Sequence, residues 1–198
     1  YFDFSGNSAM AIGLGYLFGF RLPLNFESPY KASSLIDFWR RWHMSLSRFF
    51  RDYIYIPLGG NRRGSLQRSR NILLIMLAGG IWHGAGITFI VWGGAHGICL
   101  VVNHFWREFR MSLGHSLGSE KFIGKAAARI VTFLTVTVLW VFFRAENLDA
   151  ALSMIQSLLG LHTAPYSGFN NIKINEDRLW FLLLIVWFAP NLREIMSA

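Results

Sequence analysis

The sequence predicts an all-α, multi-spanning membrane protein with interfacial and re-entrant helices, and three observations carry that prediction. First, of 198 residues 53% are hydrophobic and only 15% charged, against roughly 25% charged in ordinary soluble domains. Second, aromatic side chains are abundant, with 18 Phe and 8 Trp, and mean hydropathy is +0.36; lipid is the solvent that suits such a chain. Third, the net charge of +8 sits in basic clusters between apolar runs, the pattern of loops that face the cytoplasm. A nucleic-acid-binding surface would account for the charge but not for the apolar runs. The lipid bilayer is therefore the expected partner, and nucleic acid is not. The single cysteine, Cys99, excludes an internal disulfide framework and a Cys-based zinc site. The chain opens on Tyr1 directly in an apolar segment, with no n-region or cleavage site ahead of it. It therefore reads as a single membrane domain, residues 1–198, cut from a longer protein and not led by a signal peptide.

Taken in order, residues 4–20 form a Gly-punctuated apolar segment, a span or the end of one. Pro23 and Pro29 bracket a polar connector. Ser34 followed by Asp37 resembles a capping box and starts a helix. Phe38, Trp42, Leu46, Phe49 and Tyr53 then recur at helical spacing, with Arg41, Arg48 and Arg51 on another face. Aromatics below and arginines above predict one amphipathic helix lying in the bilayer interface. Residues 57–71 read as a basic loop. Residues 72–106 carry no Lys, Arg, Asp or Glu, a run well beyond the ~20 residues that one crossing needs. Arg62, Arg63, Arg68 and Arg70 precede it, and Arg107 and Arg110 follow. Basic flanks on both sides predict a segment that enters and returns, bending deep in the membrane near Phe89. Its glycines include Gly80-x-x-x-Gly84 and Gly93-x-x-x-Gly97, which fit close helix packing or unwound backbone beside a cavity. Residues 111–129 read as a basic linker, 126–143 as a span, and 147–159 as an amphipathic helix stopped by Gly160. A polar loop follows, and an apolar run over 179–189 stops at Pro190.

The histidines differ in setting. His115 and His162 lie in polar loops, and His104 beside Trp106 and Arg107 suits an interface. His83, in "GGIWHGAG", sits inside the charge-free run. An ionisable group at that depth is a functional candidate by default, and an uncharged imidazole there suits a general base. The alternative is a neutral ring bonded to a carbonyl exposed by the glycines. His96, in "GGAHG", fits helix-to-helix hydrogen bonding better than a direct role. His43 falls in the row Trp39, His43, Phe50, Ile54, where it reads as a packed histidine. No carboxylate accompanies these rings and no HxxxH or HExxH pair exists, so no metal is expected. The serines of "MSLS" fit no nucleophile elbow.

"FWRRWHMSLSRFFRDYIYIPLGGNR" followed by "GGIWHGAGITFIVWGGAHG" resembles the membrane-bound O-acyltransferase (MBOAT) family, in its alginate O-acetyltransferase-like bacterial branch. The resemblance extends from about Phe2 to Gly160, and it departs at Asn7 and Ala9, where members often carry Tyr and Asp. It implies the C-terminal part of a multi-pass protein of the bacterial inner membrane. It also implies acyl transfer from a thioester to a hydroxyl. His83, in the "WHG" motif with Trp82 and Gly84, matches the family's essential histidine, and His43 matches its second polar position. The implied donor is acetyl-CoA or an acyl-carrier thioester, a substrate rather than a bound cofactor. Arg62, Arg63, Arg68 and Arg70 suit its phosphates, or else serve only as topology signals. Backbone N–H groups near Gly84 or Gly86 suit an oxyanion. The acceptor is an exported polysaccharide or a serine on a periplasmic acetyltransferase or carrier protein. The alternative is a non-catalytic transport or scaffold subunit that feeds a separate periplasmic acetyltransferase.

Overall fold

The computed structural model describes residues 1–115, 122–161, 176–191 and 194–195. Among them it has eight α-helices and no strand: α1 (Phe2–Leu17), α2 (Leu35–Arg41), α3 (Met44–Phe50), α4 (Gly64–His83), α5 (Ile87–Ser112), α6 (Phe122–Arg144), α7 (Leu148–Leu158) and α8 (Glu176–Phe188). A 3₁₀ turn at Pro29–Lys31 precedes α2, and α3 runs on into a π-helical turn, Arg51–Tyr55. His162 and most of the polar loop after it lie outside the described residues.

Helices α4 and α5 form an antiparallel hairpin, and their glycines let them meet. A methyl group on Gly80 would collide with the Phe89 carbonyl, and one on Gly93 with the Met76 carbonyl. A methyl group on Gly97 would crowd the Leu73 side chain at 3.0 Å. Gly80, Gly93 and Gly97 are thus packing glycines, as the small-xxx-small spacing predicts. Gly84 is not: it ends α4. The hairpin turns at residues 84–86 rather than near Phe89, because the glycines on either side of Ala85 stop one helix and start the next. At the open end of the hairpin, Arg68 of α4 forms an ion pair with Glu108 of α5.

The single interfacial helix expected over residues 35–53 does not form. It breaks at Trp42 and His43, where Trp42 is extended and His43 takes a left-handed φ of 42°. The connector before α2 compensates the break. The Glu27 amide donates to the Arg41 carbonyl and the Met44 amide to the Asn25 carbonyl, both at 3.0 Å. Two backbone groups that a continuous helix would use internally are satisfied from a distant strand of chain instead. The break also divides the expected stripe. Phe38 and Trp42 are buried in the core, while Phe49 and Tyr53 are exposed. Nor is α2 a surface element, since Leu35, Ile36 and Phe38 pack with Ile72, Met76, Leu100 and Val136 of α4, α5 and α6. Its start follows expectation: the Ser34 hydroxyl accepts from the Asp37 amide at 3.1 Å.

Two further boundaries move. Residues 64–71, expected as loop, are the first two turns of α4. Fully buried Asn71 explains the anchorage, because its side-chain amide donates to the carbonyls of Leu58 (3.2 Å) and Gly60 (3.0 Å) in the preceding turn. The linker expected over 111–129 is shorter, since α5 reaches Ser112 and α6 begins at Phe122. α7 is capped by Asn147, whose side chain accepts from the Ala150 amide at 2.8 Å. α5 and α6 are each long and apolar enough to cross a membrane. The 16 residues of α1 rise only about 24 Å.

Candidate active site

The break before α3 and the turn after α4 bring His43 and His83 to one place. Trp82 lies between them, its ring centroid 6.3 Å from the His43 ring and 4.9 Å from the His83 ring. Both imidazoles are half-buried, and both line a cavity of about 600 Å³ between α2, α3, α4 and α5. Trp82 and Gly84 touch this site from outside the cavity lining.

His83 is held by aromatic rings. Phe143 of α6 stands edge-on to it at 4.9 Å and Trp92 of α5 at 5.3 Å, while Phe89 is stacked at 6.2 Å. Two helices beside its own thus fix the plane of the ring, with no charged partner among the described residues. His43 has a polar side as well as an aromatic one. Phe4 of α1 stands edge-on at 4.8 Å. Ser45 donates its hydroxyl proton to Asn25 Oδ1 at 2.6 Å, so a lone pair of Ser45 Oγ faces His43 Nδ1 at 3.5 Å. The tautomer that matches carries its proton on Nδ1 and leaves Nε2 as a free base. Asn25 is itself anchored, donating to Ser8 Oγ at 3.2 Å and accepting from the Ser45 amide. Burial holds the His43 imidazole below the ordinary histidine value, and the nearby His83 pushes it the same way.

The cavity runs from the two histidines along the hairpin toward its basic end. Its α5 wall passes from Trp92 to His104, about 18 Å of helix rise. Arg40, Arg48 and Arg51 line it and are exposed, and Arg51 is paired with Asp52 at 2.7 Å. The cations at this cavity are therefore not the expected ones. Arg62 and Arg63 are exposed in the turn before α4 and line no part of it. Arg68 is committed to Glu108, and Arg70 is exposed on α4.

His96 is fully buried and stands outside the cavity. Its Nδ1 accepts from Trp39 Nε1 at 3.3 Å, joining α5 to α2. His104, which the sequence places at an interface, lies inside α5 and lines the cavity. The Gly84 amide, a candidate oxyanion donor, already donates to the Ile81 carbonyl at 3.2 Å. Trp92 and Phe143 reach His83 only through the fold, and Asn25, which bonds Ser45 beside His43, does so across a distant connector; no spacing in the sequence marks these roles.

A family model described as MBOAT, membrane-bound O-acyltransferase family, matches residues 1–143. A peptidoglycan O-acetyltransferase of Helicobacter pylori is 49% identical over 166 residues, covering 82% of this chain and 30% of that protein. A probable alginate O-acetylase AlgI of Pseudomonas aeruginosa is 44% identical over 184 residues, covering 93% of this chain and 34% of that protein. A teichoic acid D-alanyltransferase of Streptococcus thermophilus is 33% identical over 157 residues, covering 72% and 38%. The chain spans about a third of the length of these curated relatives. With the family model matching well over half of its residues, the chain belongs to the membrane-bound O-acyltransferase family.

Proposed function

We propose that the cavity between α2, α3, α4 and α5 is an acyl-transfer site of a bacterial inner-membrane enzyme, with His83 as general base and His43 as its polar partner. One observation carries the reading: two imidazoles from separate elements flank one tryptophan and line one cavity whose other end is basic. The donor is a thioester of the acetyl-CoA or acyl-carrier type. Its anionic portion meets Arg40 and Arg48, and its acyl end points toward the histidines. The acceptor is a hydroxyl of an exported polysaccharide, or of a periplasmic partner that hands the group on. The named activities of the relatives, on peptidoglycan, alginate and teichoic acid, support an acceptor of the cell envelope.

His83 takes the acceptor's O–H proton as the oxygen attacks the thioester carbonyl carbon. The tetrahedral adduct collapses, the C–S bond breaks, and the leaving thiolate takes the proton back from the imidazolium. The aromatic cage of Trp92, Phe89 and Phe143 keeps water from competing as acceptor. General-base catalysis is worth about 10²–10⁴-fold, and positioning in the cavity supplies a further part of the acceleration.

The test uses the full-length protein, purified, with radiolabelled acetyl-CoA and its glycan and periplasmic partner present. Label moves to an envelope acceptor with the native protein, and the rate drops by about 10²–10⁴-fold in His83→Ala. Undiminished transfer in that variant overturns the assignment. Transfer that needs only the periplasmic partner would favour the transport or scaffold reading.

A further inference from the structure

A second cavity, of about 720 Å³, lies between α2, α5 and α6. We infer that it is a binding site for an anionic phospholipid of the phosphatidylglycerol type, with the headgroup among Arg40, Arg107, Lys125 and Arg129 and the acyl chains against Val102, Trp106 and Val131.

Five cations from three helices line one cleft, Arg110 beside the four that would take the headgroup. Among the described residues its one carboxylate, Asp37, is already held by Arg41 at 2.9 Å, so the described lining is strongly positive. Loop cations that serve only to orient a chain need not share a cavity; these do. Polarity is also graded along the walls. Arg107 lies toward the end of α5, and Lys125 and Arg129 lie near the start of α6. Val102, Trp106 and Val131, set at or beyond that basic zone, are 60%, 55% and 63% exposed. Both walls are the helices long and apolar enough to cross a membrane, so the cleft presents a cationic end and an apolar flank to a bilayer. Basic pockets of this kind between membrane helices select anionic headgroups, and Trp106 suits the headgroup level. A soluble anion would use the cations but gain nothing from the apolar wall. Arg40 lines both cavities, so lipid here stands next to the proposed acyl-transfer site. The inference does not depend on that site's chemistry.

The test takes the full-length protein in nanodiscs of phosphatidylcholine containing phosphatidylglycerol, with lipid retained after release into detergent read by native mass spectrometry. The native protein retains phosphatidylglycerol in preference to phosphatidylcholine. Lys125→Ala/Arg129→Ala lowers that preference by about 30-fold, roughly fivefold for each cation removed. Arg21→Ala/Arg144→Ala, which removes equal charge outside the cleft, keeps it. Equal retention by Lys125→Ala/Arg129→Ala and the native protein overturns the proposal. So does equal loss in both double variants, or displacement of the lipid by millimolar inorganic phosphate.

Discussion

At the scale of the residue, His43 and His83 gain their setting from neighbours that no spacing rule connects to them. The "WHG" motif marks His83 in the sequence, and depth in a charge-free run marks it independently. His43 reads from periodicity as a packed side chain. Its polar surroundings come from Asn25 and Ser45, and the intervening backbone must break before Ser45 can reach Asn25. A left-handed residue that is not glycine is uncommon, and periodicity contains no trace of it. The arginines of the cavity rim are hidden from the sequence for a related reason. Arg62 and Arg63 precede the charge-free run in sequence, but Arg40 and Arg48 are the ones that the folded α2 and α3 turn toward the cavity. The environment of His43 makes a pH prediction. Burial favours its neutral form, so the acid limb of activity due to this group lies below the ordinary histidine range. Phe4→Ala opens the ring to water and raises its pKa toward the ordinary value. A rate–pH profile of that variant then shows the acid limb moved to higher pH, whereas an unmoved limb means that another group governs it.

At the scale of the element, the α4–α5 hairpin was the most legible part of the chain. Absence of charge over residues 72–106 and basic flanks on both sides predict a return, and the glycines mark both the crossing and the turn. The turn fell before the midpoint because Gly84 and Gly86 decide it, not length. Helices α2 and α3 were the least legible, since a 3.6-residue pattern persists through the break that separates them. The packing of the hairpin is testable. Gly80→Ala places a methyl group on the Phe89 carbonyl, which is backbone and yields little. The cost is about 1–3 kcal/mol, read as a lower unfolding temperature in detergent. Gly94→Ala meets only the end of Leu77 at an ordinary van der Waals distance of 3.5 Å and is close to neutral. Equal effects of the two substitutions would show that the close crossing is absent.

At the scale of the whole molecule, many large apolar side chains point outward, among them Leu17, Phe122 and Ile123, which suits lipid or the remainder of a longer chain. The hairpin requires its two ends to share a side. With Cys99 replaced by Ala, Ser65→Cys and Ser112→Cys in the full-length protein react with an impermeant thiol reagent from the same face of sealed vesicles. Labelling from opposite faces contradicts the entering-and-returning arrangement. The central claim is that His43 and His83 work as one unit in one cavity, and a double-mutant cycle tests it most directly. Groups that act together lose their effect together. The acyl-transfer rate constant of His43→Ala/His83→Ala should therefore match that of His83→Ala alone. A double variant slowed by the product of the two single losses would mean that the histidines act independently, and the shared site would be wrong.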